Sequence, residues 1–174
     1  MKKLLIAFTA LAASSTLVVA DAGGKTVDTY VDKVPLGCNC YDPGFEFSGF
    51  LAGIIPEESG GELGGGASLG YFLTENVGVE LSYSILATDS AEHVVTGNLV
   101  YRFPIKDACI APYILVGGGV KTNASTAGLY DVGAGLDMRF DSWGCLGVFT
   151  DATYNWLSDE QDFTLVRLGF RVPF

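Results

Sequence analysis

Beyond residue 22 the sequence has no apolar run that approaches the roughly 20 residues needed to cross a membrane as an α-helix. Basic residues are scarce, with 10 Lys and Arg against 20 Asp and Glu. This balance argues against nucleic acid as a partner, because phosphate binding needs a basic surface. Histidine occurs once, at His93. Even so, 49% of the residues are hydrophobic, so the chain must shield its apolar groups in some other way.

The first residues have the three parts of a secretory signal peptide. Lys2 and Lys3 form a basic start, residues 4–20 are apolar, and residues 20–22 (Ala-Asp-Ala) form an A-x-A cleavage site. We expect residues 1–22 to be removed, with cleavage two residues earlier as an alternative. A permanent membrane helix fits the short apolar run less well. Removal leaves 8 basic and 19 acidic residues, a net charge of −11.

From residue 45 onward the sequence falls into eight segments of about ten residues, the length with which a tilted β-strand crosses a bilayer. Short polar connectors separate the segments and no helical periodicity intervenes, which predicts an antiparallel meander in one domain. Residues 23–44 precede this domain and are predicted to form a periplasmic tail. The predicted strands are 45–55, 62–74, 76–87, 93–103, 109–121, 127–140, 145–157 and 163–174.

Apolar and polar residues alternate along these segments. In residues 76–87, for example, Val79 and Leu81 share one side with other apolar residues, and Glu80 lies on the other side. The polar side is mostly Gly, Ser, Thr and Asn, which suits the narrow interior of an eight-stranded barrel. The pattern therefore predicts an all-β fold, an eight-stranded antiparallel up-and-down transmembrane β-barrel over residues 45–174 with its apolar side toward lipid.

Nine charged residues fall on the polar side, five acids and four arginines. Unpaired buried charge is costly, so we expect these residues to pair with one another and to close the lumen. Both chain ends and the short turns are expected on the periplasmic side, with the longer loops outside. The predicted lumen charge network consists of Glu46, Glu80, Arg102, Asp131, Asp137, Arg139, Asp151, Arg167 and Arg171.

Three motifs carry a resemblance to a known family: LTENVGVELSY (73–83), YDVGAGLDMRF (130–140) and the terminal RLGFRVPF (167–174). Over residues 45–174 the chain resembles the small eight-stranded outer-membrane barrels of Gram-negative bacteria, the OmpA/OmpX-type transmembrane domain. The resemblance implies an outer-membrane location and a structural or surface-interaction role, without catalysis or a cofactor. It implies contact with outer-membrane lipid and lipopolysaccharide, and with the barrel assembly machinery during biogenesis. It identifies no extracellular partner.

The terminal motif also resembles the C-terminal signal that the outer-membrane assembly machinery reads. By this likeness, the last aromatic residue closes the barrel seam on the lipid side and directs the chain to its membrane. The residues that fit the signal are Arg167, Gly169, Val172 and Phe174.

Two other functions stay open as alternatives. A small-solute porin would need a polar lumen free of plugging charge pairs, which the nine lumen charges disfavour. A lipid A-modifying enzyme would need a base and a nucleophile together on the lipid face. His93 lies at the outer end of the fourth predicted strand, and the sequence places no nucleophile beside it. We therefore interpret His93 as a rim residue and predict neither a catalytic site nor a metal site.

Four cysteines in an exported chain predict disulfides, because the periplasm oxidises thiols. Cys38 and Cys40 precede the first strand, while Cys109 and Cys145 open the fifth and seventh, so all four are expected at the periplasmic end. We favour the pairing of each tail cysteine with one barrel cysteine, which would hold the tail across the mouth as a lid. The alternatives are a 109–145 bond, a 38–40 bond and a four-thiolate zinc site.

Overall fold

The computed structural model of the protein describes residues 38–56, 62–87, 91–123, 125–158 and 161–174. The predicted signal peptide and most of the predicted tail lie outside the described residues. Within the described part of the chain, no helix is long and apolar enough to cross a membrane.

Eight strands and one short 3₁₀ turn, Asp141–Trp143, make up the fold. Each strand pairs antiparallel with the next, and β8 pairs with β1 to close the barrel. The prediction of an all-β, eight-stranded antiparallel up-and-down transmembrane barrel is therefore confirmed. The strands are β1 (Gly44–Pro56), β2 (Glu62–Phe72), β3 (Val77–Ala87), β4 (Glu92–Arg102), β5 (Ile110–Thr122), β6 (Thr126–Phe140), β7 (Leu146–Leu157) and β8 (Phe163–Pro173).

The wall of the barrel sorts side chains by alternation. Along β3 every second residue is buried: Glu80 and Ser82 face the lumen, while Val79 and Leu81 are 48% and 59% exposed on the outside. Successive strand side chains point to opposite faces, and the interior of a barrel this narrow holds only side chains. The outer surface is consequently an apolar band of the kind that faces lipid.

Aromatic residues mark both ends of this band. We call the end where β1 begins and β8 ends the terminal mouth, and the opposite end the loop mouth. The rings of Phe45 and Tyr71 lie 4.7 Å apart at the terminal mouth, and those of Tyr154 and Trp156 lie 4.9 Å apart toward the loop mouth. Two belts of aromatic side chains are typical of membrane-spanning barrels, where the rings sit at the two water interfaces.

Six of the eight predicted strand starts differ from the observed starts by one residue, and two of these differences, at β5 and β7, involve cysteines. Cys109 and Cys145 were expected to open β5 and β7 with the parity of the lumen, but these strands begin at Ile110 and Leu146. Both cysteines instead adopt left-handed backbone conformations, with φ of 53° and 63°. This conformation ends each turn, so the side chains are aimed by turn geometry and not by the alternation of the strand.

Candidate functional site: the lumen and the lid of the barrel

The part of the lumen nearest the terminal mouth holds two arginines and two acids. Arg102 Nη1 lies 2.8 Å from Glu46 Oε1, and Arg139 Nη2 lies 3.0 Å from the same oxygen. Arg139 also binds both oxygens of Asp137 at 2.8 Å, in the fork geometry of a guanidinium and a carboxylate. The guanidinium of Arg102 stacks on the ring of Phe72, 3.6 Å from its centre. These contacts compensate charges that would otherwise be costly to bury.

A second set of ion pairs lies deeper in the lumen. Arg167 donates to both oxygens of Asp151 at 2.8 Å and contacts Glu80 at 3.1 Å. Arg171 contacts the other oxygen of Glu80 at 2.8 Å and reaches Asp137 at 3.3 Å. Glu80 joins Arg167 to Arg171, and Asp137 joins Arg171 to Arg139 of the first set. The four arginines and four of the acids therefore form one connected network across the lumen.

Asp131 is the member of the predicted network that the structure keeps apart. It is buried on β6 and faces the lumen as expected. Among the described residues, however, no arginine lies within ion-pair distance of its carboxylate, and its neighbour is the amide of Asn98. The expectation that all nine charges pair with one another is therefore wrong for this residue. The two arginines of β8, Arg167 and Arg171, are already bound to Glu80, Asp151 and Asp137.

Above the ion pairs, large apolar side chains share the lumen with small polar ones. The sequence analysis expected mainly small polar residues inside the barrel, but a cluster of large hydrophobic side chains extends from the middle of the lumen toward the loop mouth. Phe50 and Phe149 meet there edge to face, with ring centres 6.3 Å apart. The cluster consists of Phe50, Ala52, Ile54, Leu86, Val94, Leu129, Phe149, Phe163 and Leu165. All of these residues alternate in phase with the lumen-facing charges of their strands, so the sequence pattern already indicates that they point inward. The sequence analysis did not use this information.

Lumen-facing glycines make room for these side chains. A Cβ added at Gly135 would overlap the ring of Tyr113 and the side chain of Asp151, and one added at Gly147 would overlap Arg139. The Tyr113 hydroxyl uses the space over Gly135 to donate to Asp151 Oδ2 at 2.5 Å. Absence of a side chain at these positions is therefore a condition for assembling the network.

Gly169 shows how this packing can be tested. It faces the lumen on β8, where a Cβ would overlap the backbone of Gly49 and the Cβ of Phe50. We expect Gly169→Ala to lower the free energy of unfolding by about 1–3 kcal/mol, the usual cost of overpacking. Gly97→Ala is the matched control, because a Cβ on that residue meets nothing within 4 Å. Urea unfolding of the purified, refolded proteins measures both; equal midpoints for the two variants would contradict the packing argument.

The terminal mouth is covered by residues 38–43, which we call the lid. Tyr41 is the centre of the lid and is only 2% exposed. Its hydroxyl donates to the carbonyl oxygens of Cys109 (2.9 Å) and Asp137 (3.2 Å), and its own carbonyl accepts from Arg102 Nη2 at 3.3 Å. Burial, with a smaller effect of Asp137, raises the pKa of this phenol well above its usual value, so the hydroxyl remains a donor.

Two disulfides attach the lid to the barrel. The structure joins Cys38 to Cys109 and Cys40 to Cys145, across sequence separations of 71 and 105 residues. The backbone N–H of Cys38 also donates to the carbonyl of Lys106 at 2.9 Å. This connectivity is the tail-to-barrel pairing favoured above, and in this bonded state the sulfurs are not the thiolates that a zinc site requires.

The remaining sequence-derived candidates lie on the outer surface or at the seam. The Nδ1 atom of His93 lies 2.8 Å from the Tyr83 hydroxyl, and the two rings are nearly parallel, at 15°. In the terminal motif, Val172 and Phe174 point outward, and Phe174 N donates to the carbonyl of Phe45 at 3.0 Å. Arg167 and Gly169 point inward and already have structural roles in the lumen.

Comparisons with known proteins place this geometry in context. The family model described as outer membrane protein beta-barrel domain matches residues 4–140. No curated protein sequence matches the chain significantly.

Solved structures share the fold at low sequence identity. The N-terminal β-barrel domain of Pseudomonas aeruginosa OprF is 19% identical, covers 75% of this chain and 98% of its own length, and has a TM-score of 0.57. Neisserial surface protein A (NspA) is 13% identical, with coverages of 75% and 96% and a TM-score of 0.55. Ail, the attachment invasion locus protein of Yersinia pestis, is 17% identical, with coverages of 75% and 99% and a TM-score of 0.51.

Proposed function

Because this chain belongs to the outer membrane protein beta-barrel domain family, we propose that it serves the outer membrane as a closed, non-catalytic barrel with a structural or surface-interaction role. In this proposal the terminal mouth and its lid face the periplasm and the loop mouth faces the outside. The outer membrane itself is the location supported by the family and by the outer-membrane barrels that share the fold.

The observation that carries the proposal is the filling of the lumen in three successive layers. Tyr41 lies beneath the lumen, the connected arginine–carboxylate network follows, and the apolar cluster lies above it. Arg102 and Arg171 are each only 1% exposed, although arginine is rarely buried without a binding partner. A hydrated ion on this route would have to break several charge-assisted hydrogen bonds and then pass the large side chains of the apolar cluster.

With the lumen filled, the surfaces available for function are the outer band, the loop mouth and the periplasmic end. The apolar band suits outer-membrane lipid, and its outer end suits lipopolysaccharide. The terminal motif, with Val172 and Phe174 on the lipid side, supports recognition by the barrel assembly machinery. A surface role for this chain is also in keeping with two proteins that share its fold, Neisserial surface protein A and the attachment invasion locus protein of Yersinia pestis.

Conductance in planar lipid bilayers tests the closed lumen. We expect the refolded protein to show no steady single-channel steps. We expect the same of a variant in which Cys38 and Cys40 are both replaced by serine, because detaching the lid leaves the ion pairs and the apolar cluster in place. Steady, large steps from the pure wild-type protein would contradict the proposal and favour the small-solute porin. Steps from the serine variant alone would show that the lid, and not the lumen, provides the closure.

A further inference from the structure

One acid of the lumen remains without a cation. Glu46, Glu80, Asp137 and Asp151 each contact at least one arginine. Asp131 is only 2% exposed, and none of the arginines that the structure describes forms an ion pair with its carboxylate. Five acids against four arginines therefore leave one buried negative charge in excess in the lumen, and such a charge is costly.

A small polar cavity lies beside Asp131, between the ion pairs and the apolar cluster. Arg167 of the network borders it, and so do Val94 and Leu165 of the apolar cluster. The cavity has room of about 10 Å³ for the centre of a water-sized particle, so it holds one water molecule or one ion of similar size. The polar side chains that line it, besides Asp131 and Arg167, are Ser82, Ser84, Thr96, Asn98, Thr153 and Asn155.

Asn155 offers its amide oxygen to this cavity. Its Nδ2 donates to the carbonyl oxygens of Thr153 (3.1 Å) and Phe163 (3.4 Å) and to Thr153 Oγ1 (3.2 Å). Carbonyl oxygens only accept, so these contacts fix which side of the amide is the nitrogen. Asn155 is also the cross-strand neighbour of Asp131, and both side chains point into the lumen. Two acceptors, one of them charged, thus lie side by side at the cavity.

We propose that Asp131 and this cavity form a binding site for one monovalent cation of about the size of sodium. The carboxylate of Asp131 supplies the charge. The hydroxyl oxygens of Ser84 and Thr153 and the amide oxygen of Asn155 supply further ligands, and such oxygen ligands suit hard cations. One bound positive charge balances the lumen, whereas a divalent ion would leave a positive charge unmatched. This site is independent of the role proposed above.

The side chains around Asp131 leave its charge for an ion from solution. Arg167 borders the same cavity, but Asp151 and Glu80 bind its guanidinium at 2.8 and 3.1 Å. Asn98 adjoins Asp131, and its amide donates hydrogen bonds without carrying a charge. The protein therefore solvates this carboxylate but does not neutralise it, and the cavity gives a counter-ion its place.

An ion at this position is compatible with a closed lumen. The cavity lies between the ion pairs and the apolar cluster, so a bound ion rests between two filled layers and does not cross the barrel. Uptake during folding is sufficient to occupy the site. A ligand that binds only the folded state raises its stability with the ligand concentration, so unfolding equilibria report this binding without any conduction.

Urea unfolding of the refolded protein at about pH 8 tests the site, in sodium chloride against choline chloride at equal ionic strength. We expect the wild type to unfold at a higher urea concentration in sodium. Above half-saturation, each tenfold rise in sodium should raise the folding equilibrium constant up to about tenfold. A wild-type midpoint that is the same in both salts would overturn the proposal, because a proton or water alone would then meet the charge of Asp131.

Two variants separate this site from a general effect of salt. Asp131→Asn removes the charge at nearly constant volume and should unfold at the same urea concentration in both salts. Asp107→Asn is the matched control, because it removes an exposed acid at the terminal mouth, and it should keep the full difference between the salts. A sodium effect that Asp131→Asn retains, or that Asp107→Asn loses, would assign the ion to surface acids and contradict the site.

A further measurement on the folded wild type depends on no variant. The backbone amide NMR signals of Asp131, Thr153 and Asn155 should differ between samples refolded in sodium chloride and in choline chloride. The signal of Glu46, which lies in the part of the network nearest the terminal mouth, should not differ. Unchanged signals at the first three residues, or an equal change at Glu46, would contradict a bound ion at this cavity.

Discussion

Replacement of Arg171 with methionine is expected to lower the free energy of unfolding of the barrel by about 3–5 kcal/mol, the loss that follows when one partner of a buried ion pair is removed. The guanidinium of Arg171 contacts Glu80 at 2.8 Å, Asp137 at 3.3 Å and the Ser48 hydroxyl at 3.0 Å. Methionine fills a similar volume, so the expected loss does not come from a cavity. It comes from removing one buried positive charge, which leaves Glu80 with Arg167 alone and Asp137 with Arg139 alone.

Urea unfolding, followed by the fluorescence of the two tryptophans, measures this loss. Lys106→Met is the matched control, because Lys106 pairs with Glu75 at 2.6 Å while both side chains are about half exposed to solvent. Exposed ion pairs contribute little to stability, so the control variant should unfold close to the wild-type midpoint. If Arg171→Met also unfolds there, the lumen network does not stabilise the barrel.

The contrast between Arg171 and Lys106 shows what the alternation of apolar and polar residues in the sequence can predict. The alternation along β8 places Arg171 in the lumen, because Leu168, Phe170 and Val172 occupy the alternate positions that face lipid. It assigned the other charged lumen residues in the same way, and this is why the fold and the list of interior charges could be predicted without a structure.

Parity does not tell which charges meet, because that depends on the register between strands that are far apart in sequence. Arg167 and Glu80 are 87 residues apart, yet the stagger of eight strands brings them within 3.1 Å. The same stagger leaves Asp131 beside Asn98, which the sequence analysis had not connected with it. A one-residue change of register would alter these partners, so the pairing becomes visible only with the closed barrel.

The lid illustrates a second limit. Four cysteines at one end of the predicted barrel suggested a tail held across the mouth, but several pairings were compatible with that end. The choice depends on the turns before β5 and β7, where left-handed backbone at Cys109 and Cys145 sets the direction of each side chain. The insertion of Tyr41 beneath Arg102 and Arg139 had no signal in the pattern, since residues 38–43 are outside any strand.

Loss of both disulfides is expected to lower the free energy of unfolding by more than about 4–5 kcal/mol, which is the chain-entropy value for a single loop of this length in the unfolded chain. The two loops, with sequence separations of 71 and 105 residues, overlap along most of their length. We therefore expect the serine pair Cys40→Ser/Cys145→Ser to lose only part of this amount, since the Cys38–Cys109 bond still restricts the same region. The pair Cys38→Ser/Cys109→Ser should behave likewise.

The distinction between the covalent link and the packing of the lid can be made with Tyr41→Phe. This variant removes the two hydrogen bonds of the hydroxyl and leaves both disulfides. Its free energy of unfolding should fall by about 1 kcal/mol, the usual net value of a hydrogen bond, and by more only if the buried carbonyl acceptors stay unpaired.

Proteolysis of the unreduced protein followed by mass spectrometry should yield peptides that link residue 38 to 109 and residue 40 to 145. Four alkylated thiols in the unreduced protein, or a peptide that links 109 to 145, would contradict the lid. A variant with all four cysteines replaced by serine tests whether the two loops share their entropy. If its loss of unfolding free energy equalled the sum of the losses of the two serine pairs, the loops would not share entropy, and the bonds would stabilise the folded lid directly.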